Sequence, residues 1–145
     1  MTKISLGIIG GGQLGSLLCA AAKNININTV IISDDQDSPA KHFADHFIYS
    51  KYDNEENLAK FTSIVDKITY EFENIPYDVL SKLNKVKKVD PHPEVNKIVQ
   101  HRYSEKNFLV KNNIRTTGFE KIINESDIKN NKDLLPGILK TSTLG

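Results

Sequence analysis

Cysteine is nearly missing from this sequence. Cys19 stands alone among 145 residues, which rules out a disulfide framework within one chain and fits a reducing, cytoplasmic setting. Its neighbours, Leu17-Leu18-Cys19-Ala20-Ala21-Ala22, mark it as a small core residue rather than a nucleophile. Excess charge is also missing. The 19 Lys and Arg face 18 Asp and Glu, a net charge of +1, so the sequence gives no reason to expect nucleic acid or an anionic membrane as a partner. The small cluster Lys85, Lys87 and Lys88 reads as a solvated edge beside a strand. No apolar run is long enough to span a bilayer. No signal-peptide pattern opens the chain, because the short apolar run after Lys3 is broken by glycines. His42, His46, His92 and His101 lack metal-ligand spacing, and no Ser/His/Asp nucleophile set, internal repeat or low-complexity segment is visible. What remains, 39% hydrophobic and 26% charged, is a globular, soluble chain of one domain, or of one domain and part of another.

The most informative stretch is Ile4 to Gly15. An apolar run, Leu6 to Ile9, leads into Gly10-x-Gly12-x-x-Gly15, and a helical segment, Ser16 to Lys23, follows at once. Gly10 suits a sharp bend, Gly12 a close approach by a ligand, and Gly15 tight packing of helix on strand. Free N–H groups at the helix start can hold a phosphate. The chain then predicts a second strand at Thr29 to Ile32, a short helix at Ala40 to Ala44 opened by Pro39 and capped by Ser38, and a third strand at Phe47 to Tyr49. A helix beginning near Asp53 carries Leu58, Phe61, Ile64 and Val65 on one face. Strands are expected at Lys67 to Tyr70 and, weakly, Val86 to Val89, with a helix after Pro76 between them. Strands alternating with helices argue for an α/β fold with a parallel sheet covered on both faces. Asp90-Pro91-His92-Pro93 breaks that pattern and marks a boundary there or slightly after. Beyond it, helices are expected at Glu94 to Gln100, Tyr103 to Asn112 and Ser126 to Asn131, and strands at Phe119 to Ile123 and Gly137 to Lys140. A last strand with no partner after it reads as a truncated chain.

Two features bear on what the glycine loop holds. Asp34 lies nineteen residues beyond Gly15, near where a dinucleotide fold keeps its ribose-binding acid. It reads equally as a turn residue at the strand end. Glu71 and Glu73 follow the fourth strand, which a doubly wound sheet sets beside the first. Carboxylates next to a phosphate cradle repel a pyrophosphate, by several kcal/mol at about 4 Å in an effective dielectric of about 20. They suit a ligand with phosphate at one end and hydroxyl or amine donors at the other. A solvated strand end, or a cap on the helix after Pro76, is the plainer reading of the pair.

Gly10-Gly11-Gly12-Gln13-Leu14-Gly15, Asp37-Ser38-Pro39-Ala40 and Ile68-Thr69-Tyr70-Glu71-Phe72-Glu73-Asn74-Ile75 together resemble the N5-carboxyaminoimidazole ribonucleotide synthetase family of the ATP-grasp superfamily. Gln100 to Leu109 resembles that family's Asp-Arg-x-x-Glu-Lys helix, and Ile138-Leu139-Lys140-Thr141 the strand carrying its first nucleotide lysine. The resemblance covers the whole chain in order. It implies a Rossmann-like pre-ATP-grasp substrate-binding domain over residues 1–100, followed by the incomplete start of an ATP-grasp domain over residues 101–145. It also implies carboxylation of 5-aminoimidazole ribonucleotide with bicarbonate, ATP and Mg²⁺ in purine biosynthesis, in an enzyme that is commonly a dimer. By the same resemblance Gly12, Gln13 and Leu14 lie at the phosphoribosyl group and Glu73 at the ribose hydroxyls or amine end. Arg102 and Lys140 belong to the ATP site. Read without it, Arg102 is a helix-surface arginine and Lys140 a strand-end lysine.

Ser16, Asp35 and His101 depart from the residues the family usually has, arginine, proline and aspartate respectively. More consequentially, the family's phosphate loop should begin after Gly145, with the Mg²⁺ carboxylates and most adenine contacts further on. These 145 residues alone are therefore expected to lack synthetase activity. Phe108, Leu109, Ile114 and Leu134 are apolar positions that would normally pack against those later segments. Two other classes stay open: an NAD-dependent oxidoreductase domain, and a non-catalytic module keeping the fold. The related formate-using glycinamide ribonucleotide transformylase lacks the Phe-Glu-Asn signature and ranks below the synthetase.

Overall fold

β1 (Ser5–Ile9), β2 (Asn28–Ser33), β3 (His46–Tyr49) and β4 (Lys67–Tyr70) make one parallel sheet in the order β3-β2-β1-β4. The computed structural model describes residues 3–144, which fall into two compact units divided between Asn96 and Lys97. The first unit carries this sheet. Strand order turns back at β1, so the first and fourth strands lie side by side, Ile9 opposite Tyr70. That is the switch point at which open α/β sheets bind ligands.

Helices fill the connections: α1 (Gln13–Asn24), a 3-10 turn at Pro39–His42, α2 (Glu55–Ser63), α3 (Tyr77–Asn84) and α4 (Pro93–Val99). α2 starts on Asn54, whose side chain accepts from the Asn57 N–H, and carries Glu55 and Glu56 in its positive first turn. Side chains alternate along a strand, so each central strand feeds two cores. Ile8 and Ile31 pack with Cys19 of α1 and Ala40. Ile9, Val30, Ile32 and Ile68 pack with Leu58 and Phe61 of α2 and Val79, Leu80 and Leu83 of α3. Burial on both faces explains why β1 and β2 are written as unbroken apolar runs. Cys19 is a core residue, and burial pushes its thiol above the ordinary value.

Four sequence expectations are corrected. Val86 to Val89 is not a strand: a single bridge joins Ile68 to Val89, with Ile68 N–H donating to Lys88 O and Asp90 N–H to Ile68 O. Pro91 follows and has no N–H to extend the ladder. Phe119 to Ile123 and Gly137 to Lys140 are not strands either, since among the described residues neither has a ladder partner. An apolar stretch without a neighbour to bond has no reason to stay a strand. Ser38 precedes the Pro39 turn but does not cap it. Its hydroxyl lies 2.7 Å from Ser33 Oγ and donates to Asp35 O at 2.6 Å.

The second unit holds α5 (Arg102–Lys111), α6 (Glu125–Asn130) and a 3-10 turn at Lys132–Leu134. Asn124 and Asp127 form a reciprocal capping box on α6. Every buried apolar residue among those described belongs to the first unit, while Phe108 and Ile114 of the second are about half exposed. No helix among the described residues is long and apolar enough to cross a membrane.

Candidate functional site

The glycine loop joins β1 to α1. Gly10 turns at φ +100°, a conformation that favours glycine, while its N–H still donates to Ile32 O. Gly12 is the N-cap of α1 and offers no side chain to close the helix start. The cap is supplied from across the switch point. β4 ends at Tyr70, and the next residue, Glu71, keeps one more strand-like bond from its N–H to Ile9 O. Its carboxylate then reaches back: Glu71 Oε1 accepts from the Gly12 N–H at 2.9 Å. An anion at the positive end of a helix, in a charge-assisted hydrogen bond, is favourable on both counts.

The bare positions of the loop are filled by the protein itself. A Cβ on Gly10 would stand 2.6 Å from Glu71 Cγ and 2.9 Å from Phe72 Cδ1. On Gly12 it would stand 2.7 Å from Glu71 Oε1, and on Gly11 2.5 Å from Ser38 Cβ. The expectation of free amides at this helix start is thus corrected at Gly12, whose N–H already has an anionic partner. The amides of Gln13 and Leu14, in the first turn, have no partner within the helix, and both residues are exposed. Ala40 N–H donates to Gly11 O at 3.0 Å, which fastens the turn after β2 to the loop.

The carboxylate pair does not continue as a strand. Residues 71–75 form a bend in which Glu73 is half-buried. Ile75 at its end is fully buried, and Asn96, also fully buried, donates from Nδ2 to Ile75 O at 2.9 Å. Nothing in the sequence singled out Asn96, because one polar residue in an amphipathic segment reads as surface. Glu71 was visible as a loop neighbour, but its bond to Gly12 was not. Asp34 is exposed at the end of β2. The turn bonds expected of it are made by Asp35, whose Oδ1 accepts from Asp37 N–H.

Within the second unit, Arg102 N–H donates to Ser142 O at 2.9 Å, bringing the segment that contains Lys140 to the start of α5. Both residues line one open cleft of about 740 Å³, with Tyr103, Lys106 and Phe119. The Tyr103 and Phe119 rings meet edge to face, centroids 5.8 Å apart. Lys106 Nζ donates to Thr116 Oγ1 at 2.5 Å and to Thr117 Oγ1 at 3.3 Å, so it ties α5 to the segment leading to Phe119. Arg102 and Lys140 share this lining with Lys106 and Lys121 and with the acids Glu105, Glu120 and Asp133, and cationic side chains of this kind can meet phosphates.

Residues 1–100 match the model of the ribonucleotide synthetase preATP-grasp domain. The N5-carboxyaminoimidazole ribonucleotide synthase of Brucella melitensis is 37% identical over 143 residues, covering 97% of this chain and 40% of that protein. The enzyme of the same name from Staphylococcus epidermidis is 33% identical, covering 94% of this chain and 35% of its own length. Among solved structures, the N5-carboxyaminoimidazole synthetase of Staphylococcus aureus complexed with ADP superposes with a TM-score of 0.83 at 31% identity, over 99% of this chain and 40% of that one. The chain therefore spans about two fifths of the relatives it matches. On that match the chain belongs to the ribonucleotide synthetase preATP-grasp family, homologous to the N5-carboxyaminoimidazole ribonucleotide synthases.

Proposed function

We propose that residues 1–100 are the substrate-binding domain, and residues 101–145 the opening of the nucleotide-binding domain, of a synthetase that converts 5-aminoimidazole ribonucleotide to N5-carboxyaminoimidazole ribonucleotide. ATP supplies the phosphoryl group that activates bicarbonate for attack by the exocyclic amine. In this reading Gly12, whose N–H is held by Glu71, shapes the turn, and Gln13 and Leu14, through first-turn amides, lie against the phosphoribosyl group. Glu73 accepts hydrogen bonds from ribose hydroxyls or from the amine. Arg102 and Lys140 place positive charge toward the phosphates of ATP. Among the described residues no group of three or more His, Cys, Asp or Glu is gathered to hold a metal, so no residue of this chain is assigned to Mg²⁺.

The observation that carries the reading is the packing of Glu71 and Phe72 on Gly10 and Gly12. It brings the Tyr-Glu-Phe-Glu-Asn run to the Gly-Gln-Leu-Gly loop, the same two motifs on which the resemblance rests. The test is titration of the chain with 5-aminoimidazole ribonucleotide, followed through amide chemical shifts. Saturable binding is expected to move residues 12–14 and the bend at residues 71–75, and to weaken about tenfold or more in Glu73→Ala, which removes a charged acceptor. Binding that leaves both segments unmoved, or that is as tight in E73A as in the wild type, overturns the assignment.

A further inference from the structure

The loop is written as a dinucleotide fingerprint, Gly10-x-Gly12-x-x-Gly15, yet its anion position is taken. In a dinucleotide fold the second glycine is bare so that a pyrophosphate can approach the backbone at the helix N-terminus. Here the space beside Gly10 and Gly12 holds the Glu71 side chain, with Cγ 2.6 Å from where a Gly10 Cβ would be and Oε1 2.7 Å from where a Gly12 Cβ would be. The Gly12 N–H already donates to that same Oε1 at 2.9 Å. The glycines are thus explained by a side chain of the protein, held in place from its own backbone by the Glu71 N–H to Ile9 O bond and by Phe72 against Gly10.

We propose that Glu71 is a specificity-determining residue: it is the built-in occupant of the anion position of α1, and it makes this dinucleotide-like loop refuse pyrophosphate-bearing ligands such as NAD. A pyrophosphate at Gly12 must expel a carboxylate, lose its charge-assisted bond and stand beside the displaced negative charge. A sugar hydroxyl or an amine meets no such barrier, because a carboxylate has lone pairs left to accept from donors. The inference depends only on the loop geometry, whichever reaction the chain serves.

The experiment uses the isotope-labelled 145-residue chain and its Glu71→Gln variant, with inorganic pyrophosphate and NAD⁺ as probes. Glutamine keeps an oxygen acceptor for the Gly12 N–H and removes the charge. In the wild type, millimolar probe is expected to leave the amides of residues 10–12, the position Glu71 fills, unmoved. In E71Q those amides are expected to shift, with affinity for pyrophosphate raised about tenfold or more. Wild-type amides that titrate with pyrophosphate, or an E71Q loop that stays as unresponsive as the wild type, overturn the proposal. Should E71Q fail to fold, the wild-type titration decides alone. A chain that refuses pyrophosphate but also ignores 5-aminoimidazole ribonucleotide upholds this inference and sinks the functional reading, so the two fail separately.

Discussion

Tyr52 reports most directly on the electrostatics at the end of β2. Its side chain is buried, and that burial, with the Asp34 carboxylate adding to it, pushes the phenol up to about 12. Both causes disfavour the phenolate. Because the folded value lies above the ordinary one of about 10, the stability Tyr52 contributes is complete below about pH 10. It is lost as pH rises through about 12. Of the five tyrosines, Tyr52 is expected to ionise last when tyrosinate absorbance is followed in the folded protein. Asp34→Asn should lower its midpoint without restoring the ordinary value, since burial is the larger cause. A Tyr52→Phe chain whose titration curve still contains the latest step would show that another tyrosine is responsible. Neither the burial of Tyr52 nor its nearness to Asp34 was legible in the sequence, where Asp34 stood between a ribose acid and a turn residue. Its position at the end of β2 was predicted from the apolar run before it; its neighbour comes from the loop after β3, and no spacing rule connects the two.

The elements nearest the site are set by what glycine leaves room for. Gly7 lies in the middle of β1 on the face that α2 covers, and a Cβ there would stand 2.5 Å from Phe61 Cζ and 3.1 Å from Val65 Cγ1. Phe61 is fully buried, so it has nowhere to retreat without moving α2. Gly7→Ala is therefore expected to destabilise the first unit by about 1–3 kcal/mol, the usual cost of overpacking a filled core, read as a lowered urea midpoint. A change of less than about 0.5 kcal/mol, the scale of a neutral surface substitution, would show that the contact relaxes freely. Elements buried against others by periodic apolar residues were legible: β1, β2, β4, α1 and α2 lie where the pattern put them, because runs such as Val30-Ile31-Ile32 and the Leu58/Phe61 face have one economical way to be covered. Residues 119–123 and 137–140 have the composition of strands without the partner, residues 86–89 keep a single bridge to Ile68, and composition cannot say how much neighbouring backbone is present to bond. The glycine loop was legible as a loop but not as a filled one. Its spacing is the same whether a ligand or Glu71 occupies it.

At the scale of the whole chain, two units carry two halves of one proposed chemistry in very unequal completeness. The first has buried cores on both faces of its sheet, a loop cross-braced by Glu71 and Ala40, and a bend after β4 held by Asn96. The second contributes Arg102 and Lys140 to a cleft whose walls bury no apolar side chain among those described. Phosphoryl transfer depends on aligning the nucleotide, its metal and the acceptor, with charge neutralised around the transferred group. Cations at a cleft can attract phosphates, but attraction alone lowers ground state and transition state together and leaves the barrier where it was. The 145-residue chain, given ATP, Mg²⁺, bicarbonate and 5-aminoimidazole ribonucleotide, is therefore expected to release ADP no faster than a protein-free blank. Nucleotide binding by the same chain should be weak, should weaken further with added salt as exposed charge pairs do, and should fall again in Arg102→Ala and Lys140→Ala. ADP release above the blank that disappears in R102A would show that these residues align the reaction without the remaining three fifths of the relatives' length. Nucleotide binding indifferent to both substitutions would instead remove Arg102 and Lys140 from the site while leaving the glycine loop and Glu71 untouched, since the first unit's geometry is built without them.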